Sequence, residues 1–189
     1  MRVAKITLNK VIGFIQTHIT FAITTFTLIS HIGFVIGLLL LFIERKFRNF
    51  VYDFVNKYIL NLLFITSFSA LVISLFYSNI VGFPPCELCW IQRIFMYPQA
   101  IITFMAIIKK DRNIIDYLLP LSILGVIVSF YQSLVQWGFG TGLLGCTSVG
   151  GECARVYVLE YGYITIPFMA FTSFVYLLAV SVIYKKSGR

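Results

Sequence analysis

FPPCELCWIQRIFMYPQAIITFMAII, running from Phe83 to Ile108, is the stretch that decides how this chain is built. Its second half, Ile94–Ile108, has no Asp, Glu, Lys or Arg, yet it is too short to cross a bilayer. A membrane-spanning helix rises about 1.5 Å per residue and needs roughly 20 apolar positions. The length is reached only by extending back to about Leu88, which places Arg93 inside the membrane. Just ahead stands Cys86-Glu-Leu-Cys89, preceded by Pro84 and Pro85. The stretch therefore reads as a membrane helix that opens on a cysteine pair and carries a cation one turn below it.

Four more stretches are free of charged residues: Val11–Ile43, Ile59–Cys86, Tyr117–Gly151 and Tyr161–Tyr184. Each is long enough to span outright. The composition agrees, with 59% hydrophobic and 12% charged residues and a mean hydropathy of +0.92. Soluble domains carry about 25% charged residues. Backbone groups in lipid must be satisfied internally, so continuous apolar runs predict helices. A barrel would show alternating segments of about 10 residues instead. The expected spans are Thr20–Ile43, Tyr58–Gly82, Leu88–Ile108, Ile115–Trp137 and Ile164–Tyr184. They form an all-α integral membrane bundle without a soluble domain. Val11–Ile43 is long enough to enter as a hairpin or to begin with an interfacial helix, so a transmembrane and a re-entrant form both fit it.

The net charge of +8 does not point to nucleic acid, because the cations sit at span ends. Arg45, Lys46, Arg48 and Lys57 lie between the first two spans, Lys109, Lys110 and Arg112 between the third and fourth, and Lys185, Lys186 and Arg189 after the last. Those ten share one side of a five-span arrangement, which the positive-inside rule makes cytoplasmic. Both cysteine-bearing loops then face outward, with Arg155 as their loop cation. Arg2, Lys5 and Lys10 would lie outside and fit the rule poorly.

The four cysteines form two close pairs, Cys86 with Cys89 and Cys146 with Cys153. Outside the cytoplasm thiols oxidise, so two structural disulfides would account for them. A four-thiolate zinc site is a second reading, although the spacing from Cys146 to Cys153 is a poor zinc knuckle. Redox chemistry is the third. A Cys-x-x-Cys at a helix N-terminus favours the thiolate, and Pro84–Pro85 suit a helix start, putting Cys86 in the first helical turn. Arg93 follows Cys89 by four residues on the same face, where its charge stabilises a thiolate or the anion of a bound electron acceptor. The alternative for Arg93 is snorkelling to the outer interface. Gly138, Gly140, Gly142, Gly145, Gly150 and Gly151 surround the second pair, and the expected mobile loop suits attack by another protein's thiolate.

The string Cys86-Glu-Leu-Cys89-Trp-Ile-Gln92-Arg93-Ile-Phe-Met96-Tyr-Pro98 resembles the DsbB family of membrane thiol:quinone disulfide oxidoreductases, and is most similar to its compact BdbC-like branch. The resemblance covers roughly residues 58–184. The pair order also matches: C-x-x-C precedes the loop pair, opposite to the vitamin K epoxide reductases. The resemblance implies a four-helix transmembrane redox domain over 58–189. Residues 1–57 then form an added N-terminal segment, with an extra membrane helix and a cytoplasmic basic loop. It further implies that Cys86 and Cys89 are the quinone-proximal pair, with Cys89 next to a ubiquinone or menaquinone, and that Arg93 takes part in quinone binding. Cys146 and Cys153 would take electrons from a DsbA-like thioredoxin-fold partner. Cys146 would form the mixed disulfide and Cys153 would exchange with Cys86. The implied location is the bacterial cytoplasmic (inner) membrane.

Gln92 is expected either to bind the acceptor or to bond a neighbouring helix. Gln132 and Gln136, one turn apart, are expected to make interhelical hydrogen bonds rather than to join a site. His18 and His31 are read as packing or interfacial residues, and Pro98 is expected to kink its helix. A transporter clipped by disulfides would show more intramembrane charges along a pathway. A reductase carrying electrons outward would need cytoplasmic thiols, and the inner loops contain none.

Overall fold

The computed structural model describes residues 2–139 and 153–187. Five helices follow in order: α1 Arg2–Ile43, α2 Arg45–Leu75, α3 Glu87–Lys109, α4 Ile115–Gln136 and α5 Ile166–Ser187. Each contains a segment long and apolar enough to cross a membrane, and the protein is a multi-pass helical membrane protein. α2 runs on into a π-helical turn, Phe76–Ile80. Gly82 then reverses the chain at φ +83°, a conformation that glycine adopts without a Cβ penalty.

Helices α2 to α5 pack as a ring, α2 on α3, α3 on α4, α4 on α5, and α5 back on α2. Its core is apolar, with Val55, Ile59, Leu63, Met96, Ile115, Leu118, Phe174 and Leu177 buried together. Gly125 lies under the Phe174 ring, and a Cβ there would collide with it. The helices are also joined by small polar side chains, as suits a medium in which apolar contact alone gives little preference for protein over lipid. The Ser122 hydroxyl donates to Gln99 Oε1 at 2.9 Å, and Ser67 and Thr103 meet at 3.4 Å.

Several expectations are refined. α1 is one unbroken helix of 42 residues, so neither a hairpin nor a re-entrant form occurs. α2 begins at Arg45 rather than Tyr58, although Tyr58 marks a kink (φ −114°, ψ 15°). The basic stretch expected as a loop is therefore helical, because nothing in it but Glu44, at φ −116° and ψ 112°, leaves the helical region. α3 continues through Pro98 to Lys109.

α1 lies outside the ring. Phe26, Ile29, Phe42 and Ile43 are exposed on it, a surface for lipid. Ile23 and Leu28 pack against a cluster with Tyr77, Ile164 and Met169, Phe34 meets the Tyr176 ring at 4.9 Å, and polar bonds add to these contacts. His31 bonds Tyr163 Oη through Nδ1 at 3.1 Å and Thr172 Oγ1 through Nε2 at 2.8 Å. Tyr176 Oη donates to Ser30 Oγ at 3.0 Å. His31 thus serves packing between helices, as expected.

Candidate redox site

Pro84 and Pro85 have no N–H to offer a helix, and they hold the chain extended up to Cys86 (φ −73°, ψ 173°). Cys86 is the N-cap, one position ahead of the first-turn placement expected, and Trp90 N–H donates to its carbonyl at 3.1 Å. One turn on, Cys89 brings its Sγ to 3.0 Å from Cys86 Sγ. Both are free thiols. Cys86 is buried, and its thiol is pushed well up from the ordinary range, first by its bond to Cys89 and then by burial. It therefore keeps its proton.

Gln132 of α4 reaches both sulfurs. Its Nε2 donates to Cys86 Sγ at 3.1 Å and to Cys89 Sγ at 3.2 Å. Gln92 Nε2 in turn donates to Gln132 Oε1 at 2.6 Å, which fixes which end of the Gln132 amide faces the sulfurs. Gln92 thus bonds a neighbouring helix, and it also lines the cavity that holds the cysteine pair, so both roles expected of it remain open to the side chain. Gln132 corrects the expectation: its interhelical bond exists, but it serves the cysteine pair directly. The signal was present as a polar side chain in a charge-free span, one turn below Gln136. What it bonds, 46 positions away, is not written locally.

Arg93 leans from α3 toward α2. Its Nε donates to Ser74 Oγ at 3.1 Å, and its guanidinium lies 5.1 Å from the centroid of the Trp90 ring. Hydrogen bonding and the ring hold the cation in place, and among the described residues no carboxylate pairs with it.

These groups border one cavity of about 1000 Å³, open mouth included. Ser74 lines it from α2, Tyr77 from the π-helical turn that follows, Cys89 and Arg93 from α3, Gln132 from α4, and Met169 from α5. Arg155 and Tyr157, from the segment leading into α5, line it too. Phe83 stacks on Tyr157 at 4.6 Å and on Tyr77 at 6.1 Å.

Cys153 is buried in the same cluster as Cys86 and Leu88 and is disulfide-bonded. The fold thus brings three of the four predicted cysteines together. Cys146, and most of the loop expected to be mobile, lie outside the described residues.

Residues 56–184 match the family described as disulfide bond formation protein DsbB. This chain belongs to that family. A SPbeta prophage-derived disulfide bond formation protein B of Bacillus subtilis is 40% identical over 119 residues, covering 63% of this chain and 80% of the relative. A probable disulfide formation protein C 2 of Bacillus cereus is 35% identical over 137 residues, 72% of this chain and 96% of the relative. A probable disulfide formation protein of Oceanobacillus iheyensis is 40% identical over 136 residues, 69% and 92% of the two chains. These similarities place the chain with the compact, BdbC-like members of the DsbB family and make it a membrane thiol oxidoreductase acting in disulfide formation. No solved structure gives a significant match. The DsbB match begins at residue 56, so all of α1 and the start of α2 fall outside it.

Proposed function

We propose that this DsbB-family protein re-oxidises a DsbA-like thioredoxin-fold protein outside the cytoplasm. Electrons pass through Cys146 and Cys153, then Cys86 and Cys89, to a membrane quinone. The observation that carries the reading is a single arrangement: Cys153 packs with Cys86, while Cys89 and Arg93 border a largely apolar cavity. In this reading residues 58–189 are the redox domain and residues 1–57 an addition to it. The ten cations at the opposite ends of the spans support placing the cysteine loops on the outer face of the bacterial cytoplasmic membrane.

A quinone is a flat apolar ring with oxygens at opposite ends. The cavity walls suit its faces, and Arg93 and the Gln132 amide suit negative charge beside the sulfurs, so the residues present fit the group. When bound there, the quinone supplies a two-electron, two-proton acceptor. Thiol–disulfide exchange proceeds through a mixed disulfide. A partner thiolate opens the Cys146–Cys153 bond, and the partner's second thiol closes the partner's own disulfide, leaving two loop thiols. Those thiols open a Cys86–Cys89 disulfide by the same exchange, Cys153 acting on Cys86. The loop bond is restored, and two electrons with two protons now reside on the inner pair. Cys86 retains its proton. The Gln132 amide donates to the sulfur that carries charge, and Arg93 holds a positive charge at the cavity wall, where low dielectric strengthens it.

The test is quinone absorbance in detergent, with a reduced DsbA-like partner, for the wild type, Cys89→Ala and Cys146→Ala. Loss of quinone reduction in both variants is expected. Comparing ubiquinone with menaquinone in the same assay identifies the acceptor. No reduction of either by the folded wild type would leave two structural disulfides.

A further inference from the structure

The cavity also carries polar groups that the redox chemistry above does not use. Gln136 and Tyr157 line it, and Gln136 Oε1 and Tyr157 Oη are both buried without a hydrogen-bond partner. Buried polar atoms are almost always bonded, and leaving one unmet costs roughly 1–3 kcal/mol. Tyr77 Oη is a third such atom on this cavity; unmet atoms gathered at one cavity point to a ligand, and Gln136 and Tyr157 are the pair suited to meet it.

Their orientations are held. Gln136 Nε2 donates to the Arg155 carbonyl at 3.1 Å. An amide nitrogen cannot accept, so this bond sets Oε1 as the unmet end. The Tyr157 ring stacks on Phe83 at 4.6 Å and lies 5.2 Å from the Arg155 guanidinium. The two atoms are also complementary: the Tyr157 hydroxyl can donate to a carbonyl oxygen, and Gln136 Oε1 can accept from a hydroxyl.

We propose that Tyr157 and Gln136 form a second polar pole of the acceptor cavity. They recognise the ring oxygen opposite the one that faces the cysteine pair, Tyr157 when it is a carbonyl and Gln136 when it is a hydroxyl. The inference rests on the quinone reading and deepens it. It requires an acceptor with two opposed oxygens, and it makes a residue four positions from Cys153 part of the acceptor site. These are binding and positioning residues, not redox groups.

The experiment measures binding rather than turnover. Fully oxidised protein in detergent, with no thiol able to reduce or add to the ring, is titrated by tryptophan fluorescence quenching. The probes are a fully substituted alkyl-1,4-benzoquinone, its reduced form, and an alkylphenol with a single ring oxygen. Tyr157→Phe removes one oxygen and keeps the stacked ring. It is expected to raise the quinone Kd about fivefold to tenfold, the effect of one neutral hydrogen bond, and to leave the phenol Kd unchanged. Gln136→Met is expected to weaken the reduced ring more than the oxidised one. A quinone Kd unchanged in Tyr157→Phe overturns the second pole, as does an equal loss for quinone and phenol, which marks a structural role. If the wild type reduces quinone normally in either case, the electron route stands and only this inference falls. If the wild type binds neither form of the quinone, the acceptor reading itself fails and takes the inference with it.

Discussion

Two parts of this molecule have nearly the same hydropathy and different standing in the fold. The most apolar windows of α1 and α5 have mean hydropathies of 2.5 and 2.1, yet 0% of the first and 33% of the second is buried in the protein. α5 closes the ring against α2 and α4, and its Phe174 fills the space over Gly125. α1 leans on the outside through His31 and Ser30. Apolar composition decides that a helix lies in the membrane. It does not decide what the helix contributes there, because lipid solvates a leucine about as well as a protein core does. Side-chain shape and polar contacts settle that second question.

The comparison breaks first at Gly125. Gly125→Leu forces a side chain into the Phe174 ring, and overpacking of this kind costs about 1–3 kcal/mol and occasionally more. The variant is expected to lose the largest share of stability, seen as a drop in the thermal unfolding midpoint in detergent, together with its thiol chemistry. An unchanged midpoint would mean that the α4–α5 contact is not where the bundle is held.

Within the bundle, Gln132→Leu removes the donor to both sulfurs at little change in size. Quinone reduction by the purified protein is expected to slow about tenfold, matching one hydrogen bond to a charged group at roughly 1.5 kcal/mol. Substitution of Gln92 should show a smaller effect, since it acts by holding Gln132.

The two inner cysteines sharpen the picture at atomic scale. The thiolate is the nucleophile, and Cys86 keeps its proton because its pKa is pushed up by Cys89 and by burial. Iodoacetamide at pH 7 is therefore expected to modify Cys89 ahead of Cys86 in the reduced protein, as read by peptide mass spectrometry. Raising the pH to 9 should not reverse the order. Preferential labelling of Cys86 would place the proton on the wrong sulfur.

The smallest effect belongs to α1. His31→Ala removes two bonds, and interhelical hydrogen bonds in membranes average about 0.6 kcal/mol. A loss near 1 kcal/mol lowers the unfolding midpoint of a chain this long by about 2–4 °C. Quinone reduction is expected to change by less than about twofold, since His31 bonds only groups away from the sulfurs. A large loss of activity would tie α1 to the redox site and erase the contrast with the bundle.

Much of the architecture was legible in the residues. Charge-free runs marked the five described helices because hydropathy is a local property. Pro84-Pro85-Cys86 showed where α3 starts, within one position. Other features were hidden for identifiable reasons. The start of α2 was misplaced because Arg45–Lys57 is polar, and polarity does not distinguish a loop from a helix at a membrane surface. α1 was left open between a crossing and a re-entrant form because both fit the same apolar run.

The sequence by itself determined the medium, the number of helices, the cysteine motif and the placement of Arg93, all carried by neighbours within a turn or two. Only the tertiary structure decided that Gln132 bonds both sulfurs, that Cys153 packs with Cys86, and that Gln136 and Tyr157 line one cavity. Those pairings join residues 21 to 67 positions apart. They depend on how the helices are rotated and packed against one another, and a local pattern of residue types carries no record of that.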